Sequence, residues 1–215
     1  MKTILCYGDS NTWGFDPRSM SRYDHKTRWP MVLGRTLNAG ADPDDPPYWI
    51  VEEGLNGRTS CREDPVEGDK NGFRQLMPIL ESHAPVDIFI VMLGTNDLKL
   101  RFNPQPYDIA HGVQRIAGAV RDSRQGPGGT SPKVIMICPP ATAVLSPLFK
   151  NFFGDPVELS REFPPHYKAC AQEAGALFLD AGKHVITSPA DGIHFDAEGQ
   201  IALGKAAAEL IRRMA

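Results

Sequence analysis

A serine, a histidine with a carboxylate three residues before it, and two residues able to offer N–H donors are together enough for acyl transfer. This chain holds all of them. Ser10 lies in Gly8-Asp9-Ser10-Asn11, directly after the apolar start of "ILCYGDSNTWG". Asp191 and His194 stand three apart in "ADGIHFDAEG", just ahead of the last helical pattern. In a tight turn that spacing lets the carboxylate reach the near ring nitrogen, fix the tautomer and leave the far nitrogen for Ser10. A developing oxyanion needs donors. Gly57 in "EEGLNGRT" has no Cβ to keep its N–H from a substrate oxygen, and Asn96 in "LGTND" can direct a side-chain amide to the same point. Each piece also has an ordinary reading. Gly, Asp, Ser and Asn serve strand-to-helix turns, and Asp-x-x-His before a helix is often local capping. Their coincidence after several different strands argues for an assembled site, since independent turns need not supply every role.

Those strands are legible as short apolar runs: "TILCY" at 3–7, "YWIVEE" at 48–53, "DIFIVML" at 87–93, "KVIMIC" at 133–138 and "ALFLD" at 176–180. They are near-continuous rather than alternating, as strands covered on both faces should be. Helical patterns fall between them. "RWPMVLGRTLNAG" has Pro30 in a first turn and Gly40 as a stop, and 106–121 sets Ile109, Val113, Ile116 and Val120 on one face. The segment from Asp196 to Met214 places Ile201, Ala208 and Ile211 together, with Asp196 as its cap. Alternating strands and helices predict right-handed crossovers, hence an α/β fold: a three-layer α/β/α sandwich around a five-stranded parallel sheet. The connections at 14–28, 54–70 and 139–156 are long for a compact domain and fall on the sheet edge that carries Ser10. The last contains Leu145, Leu148, Phe149, Phe152 and Phe153. That apolar set suits a cap over the core, a wall of an acyl pocket or a subunit contact.

Composition narrows the function. With 215 residues the chain suits one domain, and its 23 Lys plus Arg against 26 Asp plus Glu give a net charge of −3 with no run of like charges. Neither nucleic acid nor a membrane surface is expected as a partner. The first apolar run is too short for a signal peptide or a membrane span, so the expected location is cytoplasmic. Cys6, Cys61, Cys138 and Cys170 are scattered without metal-ligand spacing, which predicts neither zinc nor disulfides. A dinucleotide site is disfavoured, because the first strand ends in GDSN rather than GxGxxG. His25, His83, His111, His166 and His184 form no ligand pattern and read as surface or structural; Met92 reads as core. Asp9 and Asp97 read as turn stabilisers.

The four blocks, GDS near the N-terminus, a Gly block, GTND and DxxH near the C-terminus, resemble the SGNH (GDSL-type) hydrolases in order and spacing over nearly the whole chain. The resemblance implies a flavodoxin-like α/β/α sandwich. It also implies Ser10 as nucleophile, His194 as base, Asp191 as its orienter, and an oxyanion hole from the Ser10 and Gly57 amides plus the Asn96 side chain. A closer similarity, to the bacterial arylesterase/acyltransferase (perhydrolase-like) subgroup, runs through "ILCYGDSNTWGF", "RWPMVLGRTL", "VEEGLNGRT", "IVMLGTNDLK", "DIAHGV" and "DGIHF". It implies a serine esterase acting on short-chain, acetyl-type esters, aryl esters included. An acyl-enzyme of that kind can also pass its acyl group to alcohols or peroxide. It implies no metal or organic cofactor, and a homo-oligomer, octamers among the forms. A carbohydrate acetylesterase with the same residues and a more polar pocket is the alternative. Asn11, Trp13, Phe15 and Asn56, beside the motif residues, and Phe152 and Phe153 of the 139–156 loop are the candidate pocket residues.

Overall fold

Along β1 (Lys2–Gly8), Leu5 and Tyr7 enter one half of the core while Ile4 and Cys6 enter the other. This is the period of two that a strand imposes. A computed structural model describes residues 1–214. After β1 come the four-residue helix α1 (Ser10–Trp13), a small hairpin of β2 (Phe15–Asp16) and β3 (Ser21–Arg22), α2 (Trp29–Leu37) and β4 (Tyr48–Gly54). Then follow α3 (Gly72–Ser82), β5 (Ile88–Met92), α4 (Pro106–Asp122), β6 (Lys133–Cys138), α5 (Pro147–Phe153), α6 (Val157–Arg161), α7 (Phe163–Glu173), β7 (Leu177–Asp180) and α8 (Ala197–Arg212).

The main sheet is parallel throughout, in the order β4-β1-β5-β6-β7. Counted among its own five strands this is the flavodoxin-like order 2-1-3-4-5, matching the fold expected from the sequence. The chain leaves β1 for β4 on one side and returns to β5 on the other. The crevice outside the carboxyl ends of β1 and β5 is therefore the switch point where open α/β sheets place ligands. Trp29 and Leu33 of α2 join Leu203, Ala207 and Ile211 of α8 over one face; α3, α4 and α7 cover the other through residues such as Leu80, Val113 and Tyr167.

The three central strands β1, β5 and β6 are the near-continuously buried ones. The edge strands β4 and β7 are only half-covered, with Trp49 55% exposed. Two local expectations change. The helix predicted to stop at Gly40 ends at Leu37, because the Asn38 amide turns to the start of β4, donating to Tyr48 O at 2.9 Å and accepting from Tyr48 N at 3.1 Å. In α8 the buried face runs through Leu203, Ala207, Ala208 and Ile211, whereas Ile201 lies off the core. Asp196 does occupy the N-cap, but its carboxylate accepts from Ser188 Oγ (2.9 Å) instead of capping. Helices α3 and α7 were not anticipated. Pro78 interrupts the pattern of the first, and Pro164 and Pro165 open the second.

Where α8 crosses α2, Gly204 brings the backbones together. A Cβ there would lie 2.6 Å from both Trp29 O and Val32 Cβ. Gly204→Ala is therefore expected to lower stability by about 1–3 kcal/mol, as overpacking does. Urea unfolding with an unchanged midpoint would contradict this contact.

Candidate active site

Asp9 follows β1 and caps α1 by accepting from Asn11 N at 3.0 Å. That cap turns Ser10 out at the sheet edge as the first residue of α1. Burial, the largest influence, pushes the Asp9 carboxyl up to about 6 against its hydrogen bond to Asn11 and the charge of His194. Asn11 holds the turn from behind. Its Oδ1 accepts from Phe195 N (3.1 Å), its Nδ2 donates to Ile193 O (3.3 Å), and its carbonyl accepts from Gln200 Nε2 (3.0 Å). Gln200 is fully buried and also accepts from Trp29 N at 2.9 Å, so one amide locks α1, α2 and α8 together.

These ties carry Ser10 to His194, 184 positions away: Oγ and Nε2 are 2.8 Å apart. On the other side of the ring, Nδ1 lies 2.6 Å from Asp191 Oδ2. Asp191 Oδ1 accepts the backbone N–H of Ile193 and of His194, both at 2.9 Å. Burial, the largest influence on Asp191, would raise its pKa. The hydrogen bonds and charge of His194 and the two amides outweigh it and hold the carboxyl below its ordinary value. The imidazole is gripped by two rings, Phe15 at 4.3 Å and Phe149 at 5.6 Å between centroids. Its orientation is thus fixed by packing as well as by the carboxylate.

Ser10, Gly57, Asn96 and His194 line one pocket of about 360 Å³. Gly57 adopts φ +82°, a left-handed conformation that glycine takes without strain. Its segment is tied to both neighbours. Arg58, buried with its guanidinium 4.1 Å from the Tyr7 ring centre, donates to Gly8 O at 2.8 Å, the residue that precedes Asp9. Ser60 donates its N–H to Asp97 Oδ2 (2.8 Å) and its hydroxyl to Asp97 Oδ1 (2.6 Å). Lys99 adds a further tie, donating to Asp64 Oδ2 (3.2 Å) and Glu67 Oε1 (2.6 Å), with Arg101 on the same two carboxylates at 3.3 and 2.7 Å. Asp97, read from the sequence as a turn stabiliser, therefore fastens the loop of Asn96 to the loop of Gly57.

Of the candidate pocket residues, Phe15, Asn56, Phe152 and Phe153 line the cavity, with Asn56 Oδ1 buried and unpartnered. Asn11 and Trp13 do not. Asn11 is consumed by the backbone contacts above, and Trp13 packs beside Gly54 and beneath the Arg22 guanidinium, 5.2 Å from its ring centre. Phe149, Ile193, Glu67, Lys70 and Lys99 complete the lining. The three charged residues come from irregular segments and carry no periodic signal, so the sequence did not single them out. The 139–156 connection, read from the sequence as a loop, folds as α5 over its middle and serves both core and pocket. Leu145 and Phe153 are buried, Phe149 and Phe152 meet the cavity, and Leu148 is exposed. Among the described residues, no group of three or more His, Cys, Asp or Glu side chains is set to hold a metal ion.

A fold with this strand order, and a Ser–His–Asp chain at its switch point, defines an α/β hydrolytic enzyme of the SGNH kind. A family model of GDSL-like lipases/acylhydrolases matches residues 6–202. The chain belongs to that family and is a carboxylic ester hydrolase of it. A solved carbohydrate acetylesterase from Sinorhizobium meliloti is 38% identical with a TM-score of 0.91, each chain covered over 100% of its length. An aryl esterase from M. smegmatis is 36% identical with a TM-score of 0.91, again over 100% of both chains. A member of the lipolytic protein G-D-S-L family from Veillonella parvula, 16% identical at a TM-score of 0.68 over 99% of this chain and 100% of its own, shares the fold. No curated protein gives a significant match.

Burial, the largest influence on Asp97, raises its carboxyl to about 6 despite the two hydrogen bonds from Ser60. In the unfolded chain the same group titrates near 3.8. Between those values the folded state binds more protons, so Asp97 costs stability progressively as pH rises from about 4 to about 6. Asp97→Asn cannot ionise, yet an amide can accept from Ser60 N and donate to Ser60 Oγ. Relative to the parent protein, its melting temperature should improve between pH 4.5 and pH 7.5. An identical offset at both values would contradict the raised pKa.

Proposed function

We propose that the protein is a serine esterase acting on short-chain, acetyl-type esters, aryl esters included, through an acyl-enzyme. The observation that carries this reading is the continuous Ser10–His194–Asp191 chain, at 2.8 and 2.6 Å, opening into the pocket that Gly57 and Asn96 also line. Ser10 Oγ attacks the ester carbonyl as its proton passes to His194 Nε2. Asp191, held ionised, stabilises the imidazolium across Nδ1. The Ser10 and Gly57 N–H groups and the Asn96 amide receive the oxyanion. His194 then protonates the departing alcohol, and a water it deprotonates resolves the acyl-enzyme. An alcohol or peroxide entering in place of water would take the acyl group instead.

Both substrate classes named for the similar structures suit this chemistry. The aromatic wall of Phe15, Phe149, Phe152 and Phe153 favours the aryl and short acyl reading, while Asn56 Oδ1 keeps a carbohydrate acetylester as the alternative. Val144, Leu148 and Phe152, 77%, 51% and 37% exposed, leave apolar surface on the pocket-lining loop. They support assembly of further copies there, the homo-oligomer implied by the resemblance. No described helix is long and apolar enough to cross a membrane. All four cysteines are free, which fits the cytoplasm.

Ser10→Ala is expected to cut hydrolysis of a short aryl ester by about 10⁴-fold or more with folding intact, and Asn96→Ala by about 10²–10³-fold. Undiminished turnover by the Ser10 variant would overturn the assignment. A series of acyl chain lengths, with acetylated sugars and added alcohol as parallel arms, separates the substrate readings. Leu148→Glu should reduce the particle mass seen by light scattering if that loop joins copies; a parent protein that is already monomeric removes the oligomer.

A further inference from the structure

The charged residues around the pocket differ in how their charge is spent. Lys99 and Glu67 belong with Asp64 and Arg101 to a closed group of two cations and two carboxylates, in which every charge has an opposite partner within 3.3 Å. Lys70 lines the same cavity outside that group. Among the described residues, no carboxylate lies within the 4.0 Å of an ion pair from its ammonium, and only its backbone carbonyl is hydrogen-bonded. Lys70 is thus the charged side chain of the lining that makes no ion pair, although the Glu67 carboxylate, paired with Lys99 and Arg101, stands close by with Oε2 against Gly57.

That charge has a defined base. Lys70 O accepts from Thr59 N at 2.9 Å and Thr59 Oγ1 at 3.2 Å, and the next residue, Asn71, caps α3 by accepting from Arg74 N. Its aliphatic stem lies beside Gly57 together with Glu67: a methyl group added at position 57 would meet Glu67 Oε2 first, at 2.6 Å, and then touch Lys70 Cε at 3.4 Å and Cδ at 3.5 Å. The ammonium, one bond beyond Cε, therefore lies in the part of the cavity that Gly57 and Glu67 also line. A cation in a concave, partly apolar site attracts a complementary anion more strongly than the same cation on an open surface.

We propose that Lys70 is a specificity-determining residue that pairs with a carboxylate on the ester substrate, so that the enzyme prefers esters of acidic alcohols or phenols, or of acyl groups that carry a second acid, over neutral analogues. This rests on the esterase reading of the same pocket, and the reaction at Ser10 is unchanged by it. Lys70 makes no contact with the reacting atoms; it selects which ester is held there.

Two acetyl esters that differ in one group, 4-acetoxybenzoate and 4-acetoxybenzamide, test the assignment in the parent protein, Lys70→Gln and Lys70→Glu. Lys70→Gln should lower kcat/KM for the benzoate about tenfold relative to the benzamide, mostly through KM, and Lys70→Glu should lower it further. Far-UV circular dichroism and a melting temperature like the parent's show that both variants fold, and the readout is the benzoate-to-benzamide ratio of kcat/KM. Salt at about 0.5 M should erode the parent's preference and leave that of Lys70→Gln unchanged. A benzoate-to-benzamide ratio equal in all three proteins overturns the subsite, as does an equal loss on both esters. If the parent hydrolyses neither ester, it is the esterase reading that fails.

Discussion

The proposed oxyanion site depends on three loops that no single element connects: Ser10 after β1, Gly57 after β4 and Asn96 after β5. Sheet pairing sets β1 between β4 and β5 but does not fix the loops beyond the strand ends. Cross-loop polar contacts do that. Arg58 reaches Gly8, Asp97 takes both donors of Ser60, and Lys99 binds Asp64 and Glu67. Burying such charges is costly unless each is hydrogen-bonded and paired. Asp97 shows the residual cost, since its carboxyl stays raised to about 6 with both oxygens engaged. Preorganised donors are what an acyl-transfer transition state needs.

The acid–base partners face a different problem, because they come from opposite ends of the chain. Here the solution is mainly backbone hydrogen bonding through side-chain amides. Asn11 joins the serine turn to Ile193 and Phe195 on either side of His194, and Gln200 fixes that turn to α2 and α8. Neutral amides can give and take one hydrogen bond each without adding charge beside a histidine that must gain and lose a proton. The two clamping rings, Phe15 and Phe149, likewise add no charge.

What was legible in the sequence follows from which features are local. Central strands announce themselves because both faces are buried, and α4 does so because Ile109, Val113, Ile116 and Val120 repeat at helical spacing. Helices α3 and α7 were hidden by prolines that local rules read as breaks, although packing tolerates Pro78 and first turns welcome Pro164 and Pro165. Ser10, Gly57, Asn96 and His194 were legible as motif letters, and the fold brings them to the lining of one cavity. Asn11 and Trp13 were assigned to the pocket by adjacency to Ser10, but neighbours in a short helix point in different directions, so adjacency carried no information about the cavity. Glu67, Lys70 and Lys99 were missed for the converse reason. Their placement is made by long-range contacts between irregular segments.

Chemistry and selectivity therefore sit on structurally different parts of the molecule. Ser10 stands just past β1 and Asp191 with His194 in the turn that precedes α8, while the lining that distinguishes one ester from another comes largely from 54–70 and 139–156. Such loops accept change more readily than the sheet does. They are not independent of the reacting groups, however. Ser146 N donates to Asp191 O at 3.1 Å and Ala143 N to Gly192 O at 2.8 Å, while Gly192 (φ +84°) leaves no room for a Cβ against Val144 O. A repacking of α5 that altered the aromatic wall would thus be felt at the turn that presents His194. Selectivity can be tuned freely only at side chains such as Lys70, whose removal breaks none of the contacts that hold the site.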